Sequence, residues 1–131
     1  MDSTIQTNDQ SKTMTIIGWI LSILPCLMLL FSASMKFLKP PGMEEGLAHV
    51  GWTLDQMFAL GILEVSCVII FLIPRTAVLG AILIAAYMGG ATATHVRVGD
   101  PFYATVLVGV FVWLGLWLRE PRLRALLPLR S

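Results

Sequence analysis

A chain of 131 residues has room for one domain, and 56% hydrophobic against 13% charged residues is too apolar for an ordinary soluble one. A net charge of +1 also argues against a nucleic-acid surface. The class then depends on how the apolar residues are distributed.

They fall into four blocks, Met14–Phe37, Leu54–Ile73, Thr76–Thr94 and Phe102–Leu118. Each is about 17 to 24 residues long, enough to cross roughly 30 Å of hydrocarbon as a helix. Beyond the first turn of each block the formal charges are Lys36 and Glu64, whereas a water-soluble bundle would repeat charges along every helix. The expected fold is all-α: an integral membrane four-helix bundle with a short inner hairpin loop and a longer outer loop between the first two spans. Residues 14–119 form the transmembrane domain. Residues 1–13 read as a mobile cytoplasmic tail with no assigned function, and 120–131 as a basic cytoplasmic tail.

The first block has a longer apolar run than the core of a secretory signal, so it reads as a span despite the small residues Ser32-Ala33-Ser34. Pro25 removes a backbone hydrogen bond near its middle and predicts a kink, with Ser22 placed to bond the freed carbonyl. Pro40-Pro41-Gly42 ends this span. Met43, Leu47 and Val50 then recur at helical spacing opposite Glu44, Glu45 and His49, which predicts a short interfacial helix anchored by Trp52. Thr53 and Gln56 form a capping-box pair at the start of the second span.

The second and third spans are joined by little more than Pro74-Arg75 and must be antiparallel neighbours. The third carries small residues at four-residue spacing, Ala81, Ala85, Gly89 and Ala93, with Ala86 and Gly90 beside them. That stripe suits close helix contact within the bundle or in a dimer. The fourth span is expected to open with Asp100 as N-cap and Pro101 as its first residue, and to end with Trp113 and Trp117 at the inner interface. Lys12, Arg75, Arg119, Arg122, Arg124 and Arg130 lie on one side, and Lys36, Lys39 and Arg97 on the other. The richer side is expected to be cytoplasmic, with both termini there, in a bacterial cytoplasmic membrane. The run Arg119–Arg130 is expected to meet anionic headgroups.

Glu64 is the most informative residue, because a carboxylate about 10 to 15 Å into a span costs on the order of 3 kcal/mol or more to insert. Two readings stand: a functional acid, or a protonated one that joins helices. Lys36 and His95 end the neighbouring spans. Their side chains lean back into the membrane while Glu64 leans toward them, so the three are expected to face one outward-opening cavity. Taken singly, Lys36 snorkels and His95 caps a helix end. Cys67 shares a face with Glu64, Thr92 lies one turn before His95, and Tyr87 lies on a neighbouring face; all three are candidate pocket residues. Arg97 and Asp100 are expected to pair across the mouth. Cys26 and Cys67 sit in separate spans without a CxxC, which makes a dithiol centre improbable, and no compact metal spacing is present.

The run Tyr87-Met88-Gly89-Gly90-Ala91-Thr92-Ala93-Thr94-His95-Val96-Arg97-Val98-Gly99-Asp100-Pro101 resembles the signature of the DoxX-like family. Gly61-Ile62-Leu63-Glu64 and Lys36-Phe37 resemble its other recurrent positions, and the likeness extends over about residues 20 to 128. It implies a small four-helix membrane protein, with some relatives tied to quinone-linked sulfur oxidation or to membrane oxidoreductase complexes. A lipid-soluble partner such as a quinone follows from the resemblance; the cysteine pairs of the thiol-active relatives are lacking here.

Three functions fit these residues. One is a binding protein or redox-complex subunit that holds a small lipophilic molecule by Lys36 and His95, with Glu64 orienting them. Another is an enzyme in which Glu64 and His95 run acid-base chemistry, isomerisation or hydrolysis, on a lipophilic substrate. The last is a structural subunit in a homo-oligomer or a redox complex. Bulk membrane lipid is a partner in all three, and nucleic acid in none.

Overall fold

The computed structural model describes residues 11–129, so most of the N-terminal tail, Arg130 and Ser131 lie outside the described residues. Helix α1 spans Lys12–Leu38. Ser11 caps it by accepting a hydrogen bond from the Met14 amide at 3.1 Å, and it therefore begins within the stretch expected to be a tail. It runs unbroken through Pro25. The expected repair of the Pro25 gap is not the one formed, since Ser22 Oγ donates instead to the Gly18 carbonyl at 2.8 Å. Lys39, in the left-handed region at φ 49°, turns the chain out of the helix before Pro40.

A short helix, α2 (Met43–Val50), follows, held between Gly42 at φ 88° and Gly51 at φ 90°, backbone angles that favour glycine. Met43, Leu47 and Val50 are half-buried and Glu44, Glu45 and His49 exposed, the amphipathic division read from the sequence. Helix α3 spans Leu54–Leu72, and Gln56 Oε1 accepts from the Thr53 amide at 2.9 Å at its start. A 3-10 turn, Pro74–Thr76, leads directly into α4 (Ala77–Arg97). Gly80 there lies so close to the Phe71 backbone that no side chain would fit.

Helix α5 spans Tyr103–Arg119, with Phe102 at its N-cap position. The expected start at Asp100 and Pro101 is therefore displaced. Asp100 is used elsewhere: its amide donates to the His95 carbonyl at 2.9 Å and its carboxylate meets His49. One further turn, α6 (Pro121–Arg124), follows, and Arg124 donates to the carbonyls of Trp117 and Leu118 at the end of α5.

The four long helices pack in a ring, α1 against α3 and α5, and α4 against α3 and α5. Cys26, Leu29, Cys67, Val68, Phe71, Ile84, Val112 and Leu116 fill the centre. The outside is equally apolar: Ile16, Ile20, Phe31, Ile62, Ile69, Leu79, Ile82 and Val110 are all exposed. A surface of that kind is at home in hydrocarbon and not in water. Three stretches, Lys12–Leu38, Leu54–Leu72 and Pro74–Arg97, are long and apolar enough to cross a bilayer, and Tyr103–Arg119 is a shorter apolar helix. The protein is thus a helical membrane protein. Its ring has a Lys36 end, roofed by α2, and an Arg119 end.

Candidate functional site

Lys36 occupies the last turn of α1, and its side chain leans back along the helix as helical geometry requires. Its Nζ donates to Glu64 Oε2 at 2.7 Å and to Ser32 Oγ, one turn earlier, at 2.6 Å. The long side chain thereby reaches the carboxylate directly. From α4, the Tyr87 hydroxyl donates to the same Oε2 at 2.9 Å, and Ser32 Oγ lies 3.5 Å from it. Tyr87 belongs to the carboxylate's direct environment, although the sequence placed it on a neighbouring face.

Glu64 itself is 1% exposed, and its second oxygen, Oε1, has no hydrogen-bond partner. A buried carboxylate persists because its attraction to a paired cation and its hydrogen bonds offset the cost of leaving water. Here all of that support falls on one oxygen. Ser32 was missed by the sequence reading; its only signal was the four-residue spacing that puts it on the face of Lys36.

Beside this cluster lies a cavity of about 370 Å³. Lys36, Tyr87 and His95 give it polar atoms, Leu47, Val50 and Trp52 come from the α2 region, and Ala86 and Gly90 from α4. Glu64 does not line it, but is bonded to two residues that do. His95 shares the cavity with Lys36 without touching Glu64. Its Nδ1 is buried, lacks a hydrogen bond and stands 3.8 Å from Asp100 Oδ2. The direct Glu64–His95 contact that an acid-base pair would use is not formed.

Two candidates lie elsewhere. Cys67 is buried in the central core and does not reach the cavity, because the helical face it shares with Glu64 points to the middle of the ring. Thr92 donates to the Met88 carbonyl at 2.7 Å and meets Thr105 Oγ1 at 2.7 Å, which turns it toward α5 and a second, apolar groove of about 730 Å³. The expected Arg97–Asp100 pair is also replaced. Arg97 reaches across to the Val50 carbonyl at the end of α2, and Asp100 Oδ1 takes His49 Nε2 at 2.9 Å. Both contacts fasten α2 over the cavity. Among the described residues, no group of three His, Cys, Asp or Glu side chains is arranged to hold a metal ion.

At the opposite end the polar contact is structural. Arg119 Nε donates to Ser22 Oγ at 3.1 Å, and its guanidinium stacks 3.9 Å from the centre of the Trp19 ring. Arg119, the first residue of the run expected at lipid headgroups, is folded back between α1 and α5.

The sequence model of the DoxX-like family matches residues 20–118, which takes in Ser32, Lys36, Glu64, Tyr87 and His95. Comparison with curated proteins and with solved structures found no match. A match over that much of the chain makes this protein a member of the DoxX-like family.

Proposed function

We propose that the protein is a membrane-embedded binding protein, or the ligand-holding subunit of a redox complex, whose cavity takes the polar head of a small lipophilic molecule of quinone type. The cavity opens from the outward half of a four-span bundle with both termini cytoplasmic. The observation that carries this reading is the state of Lys36. An ammonium group has three N–H bonds to place, and two of them go to Ser32 and Glu64. The third is available on the cavity side, where a carbonyl oxygen of the ligand would accept it. Glu64 holds the ammonium in place, and His95 offers a second polar contact on the same wall. An ammonium in an apolar cavity gains more from such a hydrogen bond than one in water would.

Mass spectrometry of molecules retained through purification tests this. The wild-type protein should carry a defined carbonyl-bearing lipophile in stoichiometric amount, and Lys36→Met should lose it while remaining folded. Bulk phospholipid alone in both samples would sink the binding role and leave a structural subunit.

A further inference from the structure

We infer that the cavity is filled sideways from the bilayer and not from the aqueous phase, so that its ligand is an amphiphile dissolved in the leaflet at the Lys36 end, admitted head-first between α3 and α4. The inference rests on reading the cavity as a binding site.

The aqueous side is roofed. Leu47, Val50 and Trp52 form the cavity's cover, and the roof is fastened at two points, by Arg97 on the Val50 carbonyl and by His49 on Asp100. The side that faces the membrane is bare by comparison. On α4, cavity-lining positions 86 and 90 are Ala and Gly, both exposed, and a Cβ added at Gly90 would meet nothing within 4 Å. On α3 the matching edge is Leu63, half of whose surface is open. Ile62, next to Leu63 in sequence, and Ile82, one turn before Ala86, are exposed and apolar, so the outer surfaces of both helices suit hydrocarbon. Behind it stand the Lys36 ammonium, held by Ser32 and Glu64, and His95, whose buried Nδ1 has no hydrogen bond. A polar head that slides in along α4 exchanges its place at the interface for those groups, while its apolar tail stays in lipid. A water-borne solute would have to lift α2 and break both fastenings.

Reagent access distinguishes the two routes without any need to know the natural ligand. In full-length protein in lipid vesicles, with Cys26 and Cys67 replaced by Ala, a single Ala91→Cys is placed on the cavity wall. It is treated with N-cyclohexylmaleimide, which partitions into bilayers, or with a trimethylammonium maleimide of similar size, which does not. Rates are normalised to Gly46→Cys, at an exposed position on α2. The lipophilic reagent should label Ala91→Cys faster by an order of magnitude or more. Gly90→Trp should remove that advantage, and Ala86→Trp should do the same should Gly90→Trp fold poorly. Combined His49→Ala and Arg97→Ala should speed the charged reagent alone. Equal normalised rates with the roof intact, or no effect of a bulky residue at position 86 or 90, would overturn lateral access. Shielding from both reagents, as a second copy packed on this face of α4 would produce, overturns it equally. Because labelling needs no bound ligand, it can succeed where no retained ligand is found, and the reverse also holds.

Discussion

Lys36 and Glu64 set the energetics of the cavity wall, because neither can be removed without exposing the other to an uncompensated interior. Breaking a buried pair from one side costs on the order of 3–5 kcal/mol, whereas replacing both partners by apolar side chains of similar volume is often neutral. Glu64→Leu and Lys36→Met should therefore each lower the heat-unfolding midpoint in detergent by more than the double variant does. A double variant as unstable as the sum of the singles would show that the 2.7 Å contact carries no coupling. His95 is a different case. It shares the cavity but no hydrogen bond with Glu64, so Glu64→Gln and His95→Ala should add to within about 0.5 kcal/mol in the same measurement. A marked shortfall from additivity would return His95 to the carboxylate's own unit. The sequence could identify Glu64 and Lys36, since a charge inside an apolar run stands out at once. It could not reveal that Tyr87 and Ser32 complete the cluster, because a hydroxyl in a membrane helix is ordinary and its partner depends on how each helix is rotated.

At the scale of helices, the tight contacts are not those that the spacing of small residues points to. The stripe on α4 is buried at Ala81, but Gly89, Gly90 and Ala93 are exposed, and at Gly89 and Gly90 it leaves open grooves where close packing was expected. Close approach occurs at Gly80 against the Phe71 backbone and between α1 and α5, where a Cβ on Gly18 would come within 2.7 Å of the Gly115 carbonyl and one on Gly115 within 2.5 Å of Ser22 Oγ. Gly115→Ala must push these backbones apart and loosen the Ser22–Arg119 hydrogen bond. It should cost about 1–3 kcal/mol, the usual penalty of overpacking. Gly109→Ala meets nothing within 4 Å, so it should be neutral or stabilise by up to about 1 kcal/mol through helix propensity. Unfolding midpoints of the two variants, taken side by side, should move in opposite directions or at least differ clearly. Equal effects would mean that the α1–α5 contact is not tight. The apolar blocks, the capping pair at Thr53 and Gln56 and the amphipathic α2 were all legible from local pattern. The start of α5 was not, because Asp100 and Pro101 carry a valid local signal for a helix start while His49, about fifty residues earlier, claims the carboxylate. Local rules see one element at a time, and tertiary partners decide between equally good local choices.

For the molecule as a whole, the charges on its two ends support a proposal for which of them faces the cytoplasm. Lys12, Arg75, Arg119, Arg122 and Arg124 lie at the Arg119 end, against Lys36, Lys39 and Arg97 at the other. Arg119 and Arg124 are held by internal contacts at one end, and Lys36 and Arg97 at the other, so such contacts do not favour either end. The excess at the Arg119 end survives, and in membrane proteins such an excess marks the cytoplasmic side. We therefore propose that the cavity under α2 opens toward the outer leaflet. With Cys26 and Cys67 replaced, single cysteines at Gly46 on α2 and at Gly99 between α4 and α5 should react with an impermeant maleimide in intact cells. A cysteine at the exposed Leu129 should react only after permeabilisation. The reverse pattern would turn the bundle over. The cavity and its side opening would keep their geometry, but the ligand would then be drawn from the cytoplasmic leaflet, and a role on the outer face would no longer hold.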